Sequence, residues 1–226
     1  MKKILMVLTS HSELVNTDSK TGVWLGEFTD PYYEFLDKGF SVILASPKGG
    51  EPPIDPRSKL TENITSSNRR FQKDEKAQKA FEFTQTLNSV KAEDFDAVFF
   101  PGGHGPMGDL AKDETNAKLV LEFYRQDKPI AAICHGPAAL LTAALEEPGL
   151  LKDREVTAFS NVEEKMVGLK NNIPFSLEDR LKSLGAKYNS ATIPFTSKVK
   201  VSGKLVTGQN PASAEKAAEE LIKLLK

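Results

Sequence analysis

The stretch Pro129-Ile130-Ala131-Ala132-Ile133-Cys134-His135-Gly136-Pro137-Ala138-Ala139-Leu140-Leu141 decides the fold class. Ile130 to Ile133 is apolar without polar alternation, which predicts a strand buried on both faces. A Cys-His-Gly turn follows, and small residues then open a helix predicted over Gly136 to Leu145. A sharp strand-to-helix turn of this kind is a nucleophile elbow, which exposes one side chain and aims the first helical amides at it. A thiol placed there can be acidified by the N-terminal field of the helix. Gly136 lets the turn pass where a Cβ would clash. The bland alternative is that Cys134 is a small buried hydrophobe.

Working outward, comparable apolar runs occur at Ile4 to Leu8, Ser41 to Ala45, Ala97 to Phe100 and Val156 to Phe159. Between them, helical spacing marks Val23 to Leu36, closed by Gly39, then Glu75 to Leu87 and Asn116 to Arg125. Strands alternating with helices predict an α/β fold, a mostly parallel sheet with helices on both faces. Lys198 to Val201 and Leu205 to Thr207 alternate around Ser202-Gly203 and read as a small hairpin outside the parallel core, before a last helix from Pro211 to Leu225. Pro47 to Ser67 is rich in Pro, Gly and polar residues and reads as a surface excursion or lid. Asn161 to Lys187 is a second irregular region, with a short helix from Leu177 to Leu184 ended by Gly185. No internal repeat or linker divides the chain, so residues 1–226 are expected to form one domain.

Composition narrows the function. The 226 residues are 39% hydrophobic and 27% charged, as in soluble globular proteins, which excludes disordered and collagen-like classes. Thirty Lys plus Arg against 31 Asp plus Glu leave a net charge of −1, so no global basic field exists for nucleic acid or an anionic membrane. The one cysteine, Cys134, excludes an internal disulfide and suits a reducing cytoplasm. Met1-Lys2-Lys3 before Ile4 to Leu8 imitates a leader, but the apolar run is too short for one and reads as a first strand. No stretch approaches the roughly 20 apolar residues of a membrane span.

Two further stretches bear on chemistry. Ala97-Val98-Phe99-Phe100-Pro101-Gly102-Gly103-His104-Gly105-Pro106 is a strand running into a glycine-rich turn. In an open α/β sheet, ligands bind beyond the carboxyl ends of the strands, which places this turn beside Cys134. Its glycines allow backbone amides to converge on an oxyanion, although a Gly-Gly pair alone also serves as a plain turn. No Gly-Lys-Ser/Thr follows, so it is not a phosphate loop. In Thr21-Gly22-Val23-Trp24-Leu25-Gly26-Glu27-Phe28, Glu27 falls among Trp24, Phe28 and Tyr32. Partial desolvation there raises a carboxyl pKa and suits a general acid or base, whereas Glu27 taken alone reads more often as a solvated helix residue. The three histidines, His11, His104 and His135, lack the close helical spacing of a zinc site, so no metal is expected.

On these residues the chain resembles the ThiJ/PfpI superfamily, class I glutamine amidotransferase-like, and within it the glyoxalase III branch of stress-response proteins. The motifs are Lys20-Thr21-Gly22-Val23, Glu27, Gly102-Gly103-His104-Gly105, Ala132-Ile133-Cys134-His135-Gly136-Pro137 and Thr207-Gly208-Gln209-Asn210-Pro211-Ala212-Ser213, and the resemblance covers nearly the whole chain. It implies a doubly wound, flavodoxin-like sheet. It implies Cys134 as nucleophile, His135 as its neighbouring histidine and Glu27 as the helix-borne acid. Glu164 is the implied third triad member, because Gly168 then falls on the family's glycine, with Glu163 as competitor. Backbone amides near Gly103 and His135 are the implied oxyanion donors, with His104 and Gly136 completing the oxyanion and substrate-binding set.

The implied reaction is cofactor-free conversion of methylglyoxal or glyoxal to the 2-hydroxy acid, requiring neither glutathione nor metal. The same residues would suit a deglycase or an amidase or peptidase-type hydrolase. A stress chaperone or redox sensor built on Cys134 is the non-enzymatic alternative. The chain lacks the N-terminal extension of some chaperone members, which makes chaperone activity the less expected. A cytoplasmic homodimer acting on a small 2-oxoaldehyde is the implied form.

Overall fold

The computed structural model describes residues 1–226. Its strands are β1 (Lys3–Val7), β2 (Ser41–Ser46), β3 (Gln85–Thr86), β4 (Ala97–Phe100), β5 (Ile130–Ile133), β6 (Glu155–Val156), β7 (Lys187–Tyr188), β8 (Val199–Ser202) and β9 (Leu205–Gly208). Its α-helices are α1 (Leu25–Asp37), α2 (Ser66–Phe71), α3 (Glu75–Glu82), α4 (Glu114–Arg125), α5 (Leu141–Glu146), α6 (Asn161–Met166), α7 (Leu177–Ser183) and α8 (Ala214–Leu225). Seven strands form one sheet in the order β3-β2-β1-β4-β5-β9-β8, parallel except for the β8–β9 pair.

The unalternated runs fill this sheet because both of its faces are covered. Leu5 and Val7 of β1, Val98 and Phe100 of β4, and Ile130 and Ala132 of β5 join a core built with α4, α5 and α7. Their neighbours Ile4, Met6, Ala97, Phe99, Ala131 and Ile133 join a second core built with α1, α3 and α8. Alternate side chains of a strand point to opposite faces, so a strand buried on both faces has no polar position. Phe28 centres the second core, 5.1 to 5.6 Å from the rings of Tyr32, Phe71 and Phe81.

Four expectations are corrected. The hairpin does not lie outside the parallel core: β9 is buried throughout and pairs in parallel with β5, and β8 alone forms the antiparallel edge. Val156 to Phe159 contributes only a two-residue strand, paired with β7 in a separate small sheet. Beyond Val156 the run stays buried, but its amides are taken elsewhere, Thr157 N–H by Thr207 Oγ1 and Phe159 N–H by the Cys134 carbonyl. The helix begun at Glu75 ends at Glu82, and the chain then enters β3. The excursion from Pro47 is folded back onto the molecule: Val23 N–H donates to Pro53 O and Asp55 N–H to Val23 O, and Asp55 and Ser58 are buried.

Candidate active site

The strand order changes direction between β1 and β4, and a cleft opens beyond the carboxyl ends of the strands there, where open α/β sheets bind ligands. It encloses about 470 Å³. Trp24, Leu60, Phe159 and Phe195 form apolar walls, and Cys134, His135, His104 and Arg57 face the space between them.

Cys134 follows β5 with φ +57°, in the left-handed region that a residue with a Cβ occupies at a cost of about 1 to 3 kcal/mol. Its N–H donates to Gly208 O at 2.8 Å and its carbonyl accepts from Phe159 N–H at 3.0 Å, so neighbours on both sides hold the strained residue. The chain after it passes so close to β4 that a Cβ on Gly136 would lie 2.2 Å from Phe100 O. Gly136–Leu140 is a 3-10 segment, and α5 begins only at Leu141. The helix expected over Gly136 to Leu145 is thus present, but its first turn behind the thiol is 3-10 and its α-helical body starts only at Leu141. Burial, and next the Glu27 carboxylate, push Cys134 well above the ordinary thiol range, against which the Gly103 N–H supplies a stabilising hydrogen bond.

Glu27 is fully buried on the first turn of α1, where Oε2 accepts the Gly102 N–H at 2.8 Å. The thiol lies in hydrogen-bond contact with the same carboxyl. Oε1 has no polar partner, and burial raises the group to about 8. A protonated Glu27 places no charge beside the sulfur and can donate to it, so the two groups share their proton inventory. Gly103 (φ +83°) brings its amide to the sulfur by packing so close to Gly22 that a Cβ would meet Gly22 O at 2.1 Å.

On the other side of the sulfur, His135 Nδ1 is 3.3 Å from Sγ, and His135 Nε2 is 2.7 Å from Glu164 Oε2. The other oxygen of Glu164 is taken by His104 Nε2, also at 2.7 Å. The two rings stack with centroids 3.9 Å apart, and Phe159 covers His135 at 4.7 Å. Burial opposes ionisation of Glu164, but the His135 charge interaction and the two ring hydrogen bonds hold its carboxyl well below the usual range. Burial and the neighbouring His135 lower His104 to about 4, so His104 is neutral at physiological pH.

Glu163 is engaged elsewhere. Its Oε2 accepts from Ser160 N–H, Ser160 O–H and Gln209 Nε2, and its Oε1 from Phe195 N–H and Asn210 Nδ2, all at 2.8 to 2.9 Å. Ser160 and Glu163 form a capping box at the start of α6. His11 caps its own turn through Nε2 and Glu13 O at 2.7 Å and does not line the cleft. Gly103, His104 and Cys134 do line it, with Gly136 directly behind the elbow.

One group, Arg57, was not singled out from the sequence. Arg57, in the folded-back excursion, lies between Asp55 and His104, and its Nη2 is 3.1 Å from His104 Nδ1. The pairing of His104 with Glu164 was equally hidden, because 60 residues separate them. Nor did spacing reveal that His104, His135 and Glu164 bring three potential metal-ligand atoms within 4.8 Å of one another.

A cleft at the carboxyl edge of a parallel sheet is common to many enzyme families, so membership rests on the whole chain. Residues 19–224 match the DJ-1/PfpI family, and the chain belongs to that family. It is 32% identical to a glutathione-independent glyoxalase of Saccharomyces cerevisiae, over 100% of this chain and 98% of that protein. The crystal structure of glyoxalase III from Candida albicans superposes with a TM-score of 0.89 at 27% identity, covering 98% of this chain and 96% of the other. The Rapid Encystment Protein of 24 kDa from Francisella tularensis superposes at 0.94 with 42% identity over 100% of both chains. The family and flavodoxin-like fold implied by the motifs are thereby borne out.

Proposed function

We propose that the chain is a glutathione-independent glyoxalase converting a small 2-oxoaldehyde, methylglyoxal or glyoxal, into the 2-hydroxy acid. The observation that carries this reading is one sulfur with a proton-transfer partner on each side, Glu27 and the His135–Glu164 pair. Full-length similarity to named glyoxalases supports it.

The Cys134 thiol passes its proton to His135 Nδ1 while sulfur bonds the aldehyde carbon, and the resulting alkoxide takes the proton of Glu27, giving a hemithioacetal. Glu27 is then a carboxylate beside the carbon that must lose hydrogen. It removes that proton as the neighbouring carbonyl oxygen takes the one on His135, which yields an enediol. Glu27 returns its proton to the second carbon while His135 removes the proton of the first hydroxyl, and a thioester remains. Water attacks the thioester, giving a proton to Glu27, and His135 reprotonates the departing sulfur. Overall, one water is added and no external reductant or oxidant is consumed. The Gly103 N–H, which bonds the sulfur, would stabilise the charge that develops there.

The test is turnover of methylglyoxal without glutathione, after chelator treatment. Wild type is expected to form lactate and Cys134→Ala none. A wild type that makes no lactate but cleaves glycated amides overturns this reading in favour of a hydrolase.

No helix is long and apolar enough to cross a membrane. A cytoplasmic location is proposed from the single unpaired cysteine. A homodimer is proposed as well, supported by the exposed apolar side chains of Val162, Met166 and Ile193. Sedimentation as a monomer at micromolar concentration would refute the dimer.

A further inference from the structure

Arg57 is held rigidly although its segment reads as a surface excursion. Nε donates to Asp55 Oδ1 at 3.0 Å and Nη2 to Asp55 Oδ2 at 2.5 Å. Asp55 is itself buried and fixed by Thr21 O–H at 2.8 Å and by the Arg57 N–H at 2.9 Å. The remaining hydrogen of Nη2 points to His104 Nδ1 at 3.1 Å.

A guanidinium carries only donors and keeps its proton in proteins. His104 Nδ1 therefore accepts and carries no hydrogen, and the ring's single proton resides on Nε2, where it is donated to Glu164 Oε1. A second proton on this ring would have to face a guanidinium N–H. His135 is different, because its Nδ1 faces the thiol. Of two stacked imidazoles on one carboxylate, only His135 offers a nitrogen able to take the proton of Cys134.

The same proton decides what else the cluster can hold. Two imidazoles and a carboxylate with ligand atoms within 4.8 Å form a set suited to a divalent transition metal. Ligation requires a bare ring nitrogen, usually with the other nitrogen protonated and donating outward. Arg57 imposes the opposite tautomer on His104.

We propose that Arg57 is a tautomer lock: by donating to His104 Nδ1 it fixes the proton on Nε2, clamps Glu164 between two N–H donors, and denies the His104–His135–Glu164 cluster to divalent metal ions. Arg57 is thus a positioning residue. Its benefit to turnover rests on the glyoxalase reading, whereas the lock is a statement about protons and can be measured without substrate.

The test has two arms. In nitrogen NMR of 15N-histidine-labelled wild type, with resonances assigned by single histidine substitutions, His104 is expected to show an unprotonated Nδ1 and a protonated Nε2. A protonated Nδ1 overturns the proposal. In zinc titrations followed by calorimetry, Arg57→Met is expected to bind zinc about tenfold or more tightly than wild type, and to lose that site when Glu164→Gln is added. Equal zinc affinity in wild type and Arg57→Met overturns the proposal. Should Arg57→Met fail to fold, the wild-type spectrum still decides. Lactate formation enters neither arm, so failure of the lock and failure of the glyoxalase reading are distinguishable.

Discussion

Glu27→Gln is expected to stabilise the protein at alkaline pH while silencing the reaction. Burial raises Glu27 from 4.5 to about 8, so the folded chain retains a proton that the unfolded chain releases between those values. Stability therefore falls as pH rises through that window, by about 1.4 kcal/mol per pH unit, and about 5 kcal/mol has been lost by pH 8. Below 4.5 both states are protonated and the contribution vanishes. Glutamine has the same shape, its oxygen can accept the Gly102 N–H that now bonds Oε2, and it has no proton to release. The stability difference between variant and wild type is thus expected near zero at pH 4.5, about 3 kcal/mol at pH 7 and about 5 kcal/mol above pH 8. Urea denaturation across this range measures it. Parallel stability curves would refute the buried-acid argument. In the same variant, alkylation of Cys134 should persist while lactate formation drops by about 10²-fold or more, the loss expected for a general acid–base. Retained turnover would move the proton transfers away from Glu27.

Other consequences follow from the same geometry. The alkylation midpoint of Cys134 should lie above the ordinary thiol value of about 8.5, and Glu27→Gln should lower it by removing the opposing charge; a wild-type midpoint below 7 would contradict this. With methylglyoxal, kcat/KM should decline above about pH 8 as free Glu27 loses the proton owed to the alkoxide, and a pH–rate profile still rising at pH 9 would exclude that role. Glu164→Gln should cut turnover by roughly 10- to 100-fold with modest change in stability, by loss of imidazole orientation. Glu163→Ala should instead cost about 3 kcal/mol or more in denaturation, because it strands the buried donors of Ser160, Gln209 and Asn210 and releases the part-buried Phe195 N–H. Reversed outcomes for the two variants would show that their roles are exchanged.

What was legible in the sequence was whatever depends on local pattern. Ile4 to Leu8 and Ile130 to Ile133 announce strands covered on both faces, and Cys-His-Gly after the second announces the elbow. Leu205 to Thr207 reads as part of an outlying hairpin because it and Lys198 to Val201 both alternate; the exposed edge is β8 alone, and β9 lies buried between β8 and β5. Val156 to Phe159 misled for the opposite reason, since apolar residues record burial and do not say whose carbonyls the amides meet. Arg57 was illegible altogether. Its position depends on Pro53 and Asp55 bonding to Val23, a pairing across 30 or more residues that no periodicity encodes.

Glu163 and Glu164 sit side by side on the six-residue α6 and, one helical step of about 100° apart, serve different masters. The first ties the Phe195 loop and the end of β9 to the helix start; the second meets both imidazoles. For anyone aligning sequences of this kind, an acid in this segment is therefore an ambiguous landmark, and a slip of one place would exchange a structural tie for a chemical group without changing residue type. The serine at the helix start resolves it: counting from Ser160, the acid three places on closes the capping box, and the next one reaches the histidines.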